Sequence, residues 1–246
     1  MRVAVAGGTG VVGRHVVDLV RAAGDEPVVL ARSVGVDLAS GAGLREALEG
    51  VDAVVDVANV TTVNRRRSVA YFEAATTNLL SAGESAGVRH LLVLSIVGCD
   101  RVPLGYYAGK RRQEELVRGG AVPFGILRAT QFHEFARQLL DRSGPLVVVP
   151  RWQAQTVAAR EVAAALVEAV RDEPAGMLPE LAGPKRRQMA DLVRAVARTR
   201  GPQRPVISIP LPGKTGRAMA GGALIPSSDG PRGTQTFEQW LASPDG

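Results

Sequence analysis

The sequence of 246 residues contains a single cysteine, Cys99. One thiol excludes an intramolecular disulfide, and it excludes a zinc site built on several cysteines. Histidine is also scarce, with three residues at positions 15, 90 and 133, a spacing that metal-ligand motifs do not use. We therefore expect no metal site, and nothing in the sequence around Cys99 indicates an activated thiolate.

Long apolar runs are absent as well. No stretch reaches the roughly 18 apolar residues that a membrane-spanning helix requires. The apolar run Val3–Ala6 ends at Gly7, which makes it too short for the core of a signal peptide. The sequence predicts a cytoplasmic protein without a membrane span.

Lysine occurs only at Lys110, Lys185 and Lys214, although the chain has 30 basic residues and a net charge of +6. An excess of positive charge suits an anionic partner, either a nucleic acid or a phosphate-rich cofactor. The arginines are scattered, however, and GC-rich coding bias alone favours arginine. Aromatic residues make up 4% of the chain, too few for a platform that stacks single-stranded bases. We do not expect nucleic acid to be a partner.

The first half of the chain alternates short apolar runs with stretches of helical periodicity. Hydrophobic residues make up 46% of the sequence, enough for a full core at this length. Predicted strands are Val3–Ala6, Pro27–Ala31, Ala53–Ala58, His90–Leu94 and Phe124–Leu127. Predicted helices between and after them are Val11–Ala23, Leu44–Leu48, Ser68–Ala86, Tyr107–Arg118 and Gln131–Leu140. This order predicts a doubly wound parallel sheet with helices on both faces, an α/β fold.

The second half is less regular. The apolar run Leu146–Val149 predicts a sixth strand, and helical patterns are found in Arg160–Arg171, Met189–Thr199 and Thr236–Leu241. The stretch 201–228 is so rich in glycine and proline that it supports no prediction. With no linker visible, we expect one domain over 1–246, in which residues from about 150 onward form a small cap on the substrate side of the sheet.

A glycine-rich segment follows the first predicted strand and opens the first predicted helix. It reads as G-x-x-G-x-x-G on Gly7, Gly10 and Gly13, and equally as G-x-G-x-x-G when Gly8 is counted first. Such a segment provides a tight turn, lets the backbone approach a pyrophosphate, and packs the helix closely on the strand. The free N–H groups of the helix then face the phosphates. We expect Gly7, Thr9, Gly10, Val11, Val12 and Gly13 to bind a dinucleotide.

The end of the second predicted strand indicates which dinucleotide. An NAD site has an acidic residue about 20 residues after the glycines, where it binds the ribose hydroxyls. This chain has Arg32 and Ser33 there. A guanidinium can grip a 2′-phosphate and stack on adenine, and the serine can add a hydrogen bond. We therefore predict NADP(H), with Asp37 and Leu38 bordering the adenine.

These segments, taken in order, resemble the atypical short-chain dehydrogenases/reductases, the NmrA-like or NAD(P)H-binding group with a Rossmann fold. The resemblance rests on the glycine motif, Asp56–Asn59, Leu94–Gly98, Gly105–Lys110 with Glu114–Glu115, and Leu127–Phe132, and the ending Thr236–Leu241 is also similar. It implies that Ala58 and Asn59 lie along the cofactor ribose.

The resemblance also implies a catalytic set, Ser95, Tyr106 and Lys110. Tyr106 and Lys110 have the spacing i, i+4, which places both on one face of a helix. In this superfamily the lysine holds the nicotinamide ribose and its charge stabilises the tyrosinate, while the tyrosine acts as general acid or base. Ser95 would bind the substrate oxygen. Tyr107 is an alternative to Tyr106, although it lacks the i, i+4 relation to the lysine.

Residues after the fifth predicted strand are candidates for a substrate pocket. These are Gln131, Phe132 and His133, together with Trp152. A histidine can titrate near neutral pH, although a lone histidine at a helix start is more often structural.

Two classes of function fit the sequence. The first is an NADPH-dependent oxidoreductase that transfers a hydride to a small carbonyl or quinone-like substrate, or an NADP-using isomerase or dehydratase. The second is a non-enzymatic NADP(H) redox sensor that acts through a protein partner. The presence of Ser95, Tyr106 and Lys110 favours the enzyme. The sequence indicates neither a substrate nor an oligomeric state.

Overall fold

The computed structural model describes residues 1–199 and 204–245. Its strands are β1 (Arg2–Ala6), β2 (Glu26–Leu30), β3 (Ala53–Asp56), β4 (His90–Ile96), β5 (Phe124–Ala129), β6 (Val147–Pro150), β7 (Gln153–Ala154), β8 (Gly176–Met177), β9 (Arg187–Gln188) and β10 (Val206–Ile209). Its helices are α1 (Val11–Ala22), α2 (Leu44–Ala47), α3 (Arg65–Ala86), α4 (Gly105–Gly119), α5 (Glu134–Asp141), α6 (Ala159–Ala169), α7 (Met189–Thr199), α8 (Gly213–Ala220) and α9 (Phe237–Leu241). A short 3₁₀ turn spans Arg32–Val34.

The main sheet has the strand order β2-β1-β3-β4-β5-β8. The pairs β1–β2, β1–β3, β3–β4 and β5–β8 are parallel. Successive side chains of a strand point to opposite faces. Ala4 and Ala6 of β1 pack in one apolar core with Leu79 of α3 and Val117 of α4, and the alternate residues of β1 are also buried. Both faces of the sheet are therefore covered, which confirms the predicted doubly wound α/β fold.

Two helices, α3 and α5, begin three residues away from their predicted starts. α3 starts at Arg65, three residues before the predicted start, because the Asn64 side chain accepts a hydrogen bond from the Arg67 N–H at 3.1 Å and caps the helix. α5 starts at Glu134 rather than at Gln131. The preceding residues are held in an extended pairing, in which Phe132 bridges Val157 in parallel.

The chain forms two compact units. Unit 1 comprises residues 1–95, 104–128 and 160–179, and it contains most of the main sheet. Unit 2 comprises residues 96–103, 129–159 and 180–246, of which 200–203 and 246 lie outside the described residues. Residues 201–203 of the glycine- and proline-rich stretch 201–228 therefore lie outside the described residues, and the rest of that stretch contains β10 and α8.

Unit 2 has two small sheets of its own. β6 pairs with β10 in parallel, with Val147 opposite Val206, and β7 pairs with β9 antiparallel. The predicted strand at Leu146–Val149 is therefore present with shifted ends, but it does not join the main sheet, whose sixth strand is β8. α9 begins with a capping box, in which the side chains of Thr236 and Gln239 each accept a hydrogen bond from the backbone N–H of the other residue. In the described part of the chain no helix is long and apolar enough to cross a membrane.

Candidate functional site

The order of strands in unit 1 creates a switch point between β1 and β3. From β1 the chain continues outward to β2 and then returns to form β3 on the other side of β1. In open α/β sheets ligands bind at the carboxyl ends of the strands at such a point. Gly7 follows β1 and Ala58 follows β3, so the two predicted cofactor segments meet there.

Gly7 and Gly13 have no room for a side chain. Gly7 has φ of +76°, and a Cβ on it would lie 2.8 Å from the Cα of Ala58. A Cβ on Gly13 would lie 2.1 Å from the carbonyl oxygen of Gly7. The turn therefore packs against both the segment after β3 and its own helix, which leaves the backbone as the surface for a ligand.

The amino end of α1 opens from this turn. Gly10 is the N-cap and offers no side chain to the first N–H groups, and the first turn contains no acidic residue. Thr9 and Gly10 are exposed, Val11 is half-buried and Val12 is buried. A helix start without a side-chain cap or an acidic residue, with glycines before it, fits the pyrophosphate of a dinucleotide.

The segment after β2 presents Arg32 and Ser33 to solvent. Both side chains are exposed in the 3₁₀ turn that begins directly after Ala31. Leu38 is buried in the core of unit 1, and the Asp37 carboxylate accepts a hydrogen bond from the Ala39 N–H at 2.9 Å. The structure thus places an exposed guanidinium and a hydroxyl directly after β2, at the position where the sequence predicts contacts to a 2′-phosphate.

A buried polar network connects the ends of β3 and β4 with α4. Asp56 is 3% exposed, and its carboxylate accepts from the Ala58 N–H at 2.9 Å and from the Gln113 side-chain amide at 2.8 Å. Lys110 donates to the Leu94 carbonyl at 2.7 Å and to the Gln113 amide oxygen. Burial raises the pKa of Asp56, while the Lys110 charge and the two hydrogen bonds oppose that rise. The network fixes the turn that carries Ala58 and Asn59.

Tyr106 and Asn59 are in direct contact. The Tyr106 hydroxyl donates to the Asn59 side-chain oxygen at 2.7 Å, and its ring is half-buried. Tyr107 is 6% exposed and belongs to the core. Of these two tyrosines at the start of α4, Tyr106 is the one that shares a surface with a predicted ribose contact.

Ser95 lies in a second buried cluster. It donates a hydrogen bond of 2.6 Å to Glu114, which is also bound by Arg128 at 2.7 and 2.8 Å and by Arg118 at 2.8 Å. Burial alone would raise the pKa of Glu114, but the hydrogen bonds from Arg128 and Ser95 and the charges of Arg128 and Arg118 lower it to about 2. Glu114 is therefore ionised in the folded chain, and it holds the Ser95 hydroxyl.

The candidate pocket residues belong to unit 2. His133 is 1% exposed: its Nδ1 lies 2.8 Å from the Thr156 hydroxyl and its Nε2 lies 3.1 Å from the Gln235 carbonyl. Trp152 is 7% exposed and stacks on Phe135. The remaining two, Phe132 and Gln131, are half-buried. All four residues lie in unit 2, where His133 contacts Thr156 and Gln235 and Trp152 contacts Phe135.

No group of histidine, cysteine and carboxylate side chains suited to a metal ion is found within residues 1–199 and 204–245. Cys99 is buried.

Comparison with known families gives one decisive match. The model of the NAD(P)H-binding family matches residues 30–173, which is more than half of the chain. The chain belongs to the NAD(P)H-binding family. The resemblance to atypical short-chain dehydrogenases/reductases is thereby confirmed, and the segment that matches includes Arg32, Asn59, Tyr106 and Lys110.

Solved structures of this superfamily have the same fold as this NAD(P)H-binding protein. A short-chain dehydrogenase/reductase superfamily protein from Agrobacterium tumefaciens with bound NAD is 22% identical, with a TM-score of 0.71 over 98% of this chain and 95% of that one. A UDP-glucose 4-epimerase from Bifidobacterium longum in complex with NAD+ and UDP is 12% identical, with a TM-score of 0.76 over 100% and 97%. A nucleoside-diphosphate-sugar epimerase from Staphylococcus aureus is 16% identical, with a TM-score of 0.75 over 99% and 100%. No curated protein matches the sequence significantly.

Sequence reasoning assigned no role to several residues that shape the site of this NAD(P)H-binding protein. Gln113 joins Asp56 to Lys110, and Glu114 binds Ser95 and Arg128. One signal for these two roles was present in the sequence. Gln113 and Glu114 are polar residues one helical turn after Lys110, in a helix that must bury one face.

Proposed function

We propose that this chain is an NADP(H)-dependent oxidoreductase that transfers a hydride to a small carbonyl or quinone-like substrate. The observation that carries the proposal is the exposed pair Arg32 and Ser33, which follows β2 at the sheet edge where Gly7 and Ala58 meet. A cation there suits a 2′-phosphate, whereas an NAD site has an acid at that place. The half-exposed Tyr106 hydroxyl beside Asn59 supplies a proton donor in the same unit.

Each part of the cofactor would be held by a different group of residues. The backbone of Gly7–Gly13 would bind the pyrophosphate, Arg32 and Ser33 the 2′-phosphate, and Asp37 and Leu38 the adenine. Ala58, Asn59 and Lys110 would line the ribose of the nicotinamide. When bound, the nicotinamide supplies the hydride.

Tyr106 would supply the proton. As a carbonyl substrate becomes an alcohol, the phenol gives its proton to the carbonyl oxygen and afterwards recovers one from water. The Lys110 ammonium lies one helical turn along α4, and its charge favours the transient tyrosinate. In the structure Lys110 also holds Gln113 and Leu94, which keeps that charge in place.

One observation favours the alternative, a redox sensor that binds NADP(H) without turnover. The Ser95 hydroxyl is 2% exposed and donates to Glu114, so its predicted contact with a substrate oxygen requires that this hydrogen bond be exchanged. Titration of NADPH binding, in parallel with NADPH oxidation against quinones, aldehydes and ketones, separates the two. Turnover with any acceptor supports the oxidoreductase, and tight binding without turnover on the whole panel supports the sensor. The epimerase fold of the structural neighbours makes an isomerase a third outcome, seen as product formation without net oxidation of NADPH.

Substitution Arg32→Ala tests the cofactor preference. We expect NADPH binding to weaken about 10- to 100-fold, because a charge-assisted contact to the 2′-phosphate is lost, while NADH binding stays within about twofold. The measurement is a fluorescence titration with both dinucleotides. Arg21→Ala is the matched control. Arg21 is an exposed arginine in the last turn of α1, at the end of that helix opposite to the glycine turn. If the ratio of the two affinities is the same in Arg32→Ala and wild type, Arg32 does not select NADP(H).

Substitution Tyr106→Phe tests the proton donor. We expect kcat to fall by about 10²- to 10⁴-fold with NADPH affinity nearly unchanged, because only the hydroxyl is removed. Tyr107→Phe is the control, since Tyr107 is buried in the core and we expect its hydroxyl to be dispensable for turnover. The assignment is wrong if Tyr106→Phe keeps its turnover or if Tyr107→Phe loses it instead.

A further inference from the structure

Unit 2 contains a cleft of about 390 Å³. All of its lining residues belong to unit 2, so the cleft is defined without reference to the rest of the chain. They come from the turn after β4, from β7, from the residue before β9, and from α8 with the loop that follows it. The lining residues are Arg101, Gln153, Arg186, Arg217, Ala218, Gly221, Gly222, Ala223, Ile225, Pro226 and Ser227.

The charge of this cleft is of one sign. Arg101, Arg186 and Arg217 line it, and none of the lining residues is acidic. By contrast, two arginines of unit 2 outside the cleft pair with acids: Arg187 with Glu238 at 3.1 Å and Arg194 with Asp191 at 2.7 Å. The side chains of Arg186 and Arg217 are exposed and form no hydrogen bond or ion pair with any residue that the structure describes. Arg101 lies 3.9 Å from the Asp100 carboxylate, which does not line the cleft. Three guanidinium groups thus line one concavity, and two of them, Arg186 and Arg217, have no acidic partner among the described residues.

The walls of the cleft are held by specific backbone contacts. Gly98 has φ of +78°, and a Cβ on it would lie 2.0 Å from the Ala223 carbonyl oxygen, so the turn after β4 packs directly on the loop after α8. Arg101 donates to the Ile225 carbonyl at 3.1 Å, and the Thr215 hydroxyl donates to the Pro103 carbonyl at 3.3 Å. These contacts keep Arg101 beside α8 before any ligand arrives.

We propose that this cleft binds an oxyanion, the phosphate or carboxylate group of a small-molecule ligand. Guanidinium forks match both groups with paired charge-assisted hydrogen bonds. The Gln153 amide and the Ser227 hydroxyl add uncharged donors at the same surface, and Ile225 and Pro226 offer apolar contact to the rest of the molecule. The small concave shape and the lack of an aromatic side chain among its lining residues distinguish it from a nucleic-acid groove.

The test uses the full chain without cofactor and two probes, inorganic pyrophosphate and tricarballylate, in calorimetric titrations at low ionic strength. We expect one of them to bind with a stoichiometry of one at the cleft, and Arg186→Gln and Arg217→Gln each to weaken that binding about tenfold or more. Stronger binding of pyrophosphate assigns a phosphate ligand, and stronger binding of tricarballylate assigns a carboxylate. The affinity should fall as salt is added.

Arg142→Gln is the matched control. It removes the same charge from an exposed arginine of unit 2 that does not line the cleft, and we expect wild-type affinity for the probe. Arg186 and Arg217 are both exposed, so we expect unchanged melting temperatures, which will show that the substitutions leave the fold intact.

Three results would overturn the proposal: no binding of either probe, equal weakening in Arg142→Gln, or binding that the cleft variants leave unchanged. In the last case competition by NADPH would locate pyrophosphate at the glycine turn of unit 1. The proposal does not depend on the oxidoreductase reaction, because it is measured without turnover. A separate measurement of NADPH affinity in Arg217→Gln shows whether the cofactor site is intact in that variant.

Discussion

Gly13→Ala is expected to weaken dinucleotide binding at least about 100-fold and to lower the melting temperature of the protein. The added Cβ would lie 2.1 Å from the Gly7 carbonyl oxygen and 2.7 Å from the Gly8 Cα. Both neighbours are backbone atoms of the turn itself, so relief requires the turn to move away from α1. Since a shift of about 1 Å disrupts positioned contacts of the kind proposed for the pyrophosphate, binding suffers even if the fold survives.

This result is informative because helix propensity acts in the opposite direction. Gly13 lies inside α1, where alanine is favoured over glycine by about 1 kcal/mol. Gly119→Ala is the control: it lies in the last turn of α4, a Cβ there meets nothing within 4 Å, and we expect no loss of stability or binding. For both variants the NADPH affinity is measured by equilibrium binding and the melting temperature by thermal unfolding. Wild-type affinity in Gly13→Ala would show that the turn does not contact the cofactor.

Glu114→Gln is expected to cost about 3 kcal/mol of unfolding free energy at neutral pH. The side chain of Glu114 is 2% exposed and that of its partner Arg128 is 12% exposed. Removing the carboxylate charge leaves the Arg128 guanidinium buried without its counterion and weakens the hydrogen bond from Ser95. Urea unfolding monitored by circular dichroism measures the difference.

Glu115→Gln provides the comparison on the adjacent residue. Glu115 is 60% exposed, and its Arg112 contact is long at 3.4 Å, so we expect a change below about 0.5 kcal/mol. Equal effects of the two substitutions would mean that the Glu114 cluster does not stabilise the fold. A gain in activity in Glu114→Gln would instead indicate that the carboxylate restrains Ser95.

The same carboxylate gives the stability of the protein a defined pH dependence. The pKa of Glu114 is lowered from 4.5 to about 2 in the folded chain. A lowered folded-state pKa means that the stabilisation is complete above about pH 4.5 and is lost as the pH falls towards 2. The difference in unfolding free energy between wild type and Glu114→Gln should therefore shrink over that interval. A difference that is constant from pH 6 to pH 3 would contradict the assigned ion pair.

Local sequence patterns determined the elements of the first half and the place of the glycine-rich turn after β1. A short apolar run followed by glycines and then by a 3.6-residue period indicates a strand, a tight turn and a helix, whatever surrounds them. The fold class followed from the order of these elements, since alternating strands and helices build parallel sheets. Even in the irregular second half, α7 has the bounds predicted from its apolar stripe, Met189–Thr199.

The ends of the elements, the pairing of strands and the hydrogen-bond partners of polar side chains depend on contacts between residues far apart in the sequence. Local patterns carry no information on these contacts. β6 was visible as an apolar run, but its partner β10 lies in a stretch that supported no prediction, so the sheet it joins could not be inferred. The family resemblance implied that the side chain of Ser95 binds a substrate oxygen. Its hydrogen bond to Glu114 arises only when α4 packs against β4.

The sequence by itself determined a doubly wound α/β chain with a glycine-rich turn after β1 and an arginine after β2, because each of these rests on residues close together in the chain. Only the tertiary structure decided which charges are compensated. It paired Arg128 with Glu114 and left Arg186 and Arg217 on one cleft with Arg101, although all four are arginines in an arginine-rich sequence. Charge pairing depends on distance in space, and residues from four separate segments converge only after the chain has folded.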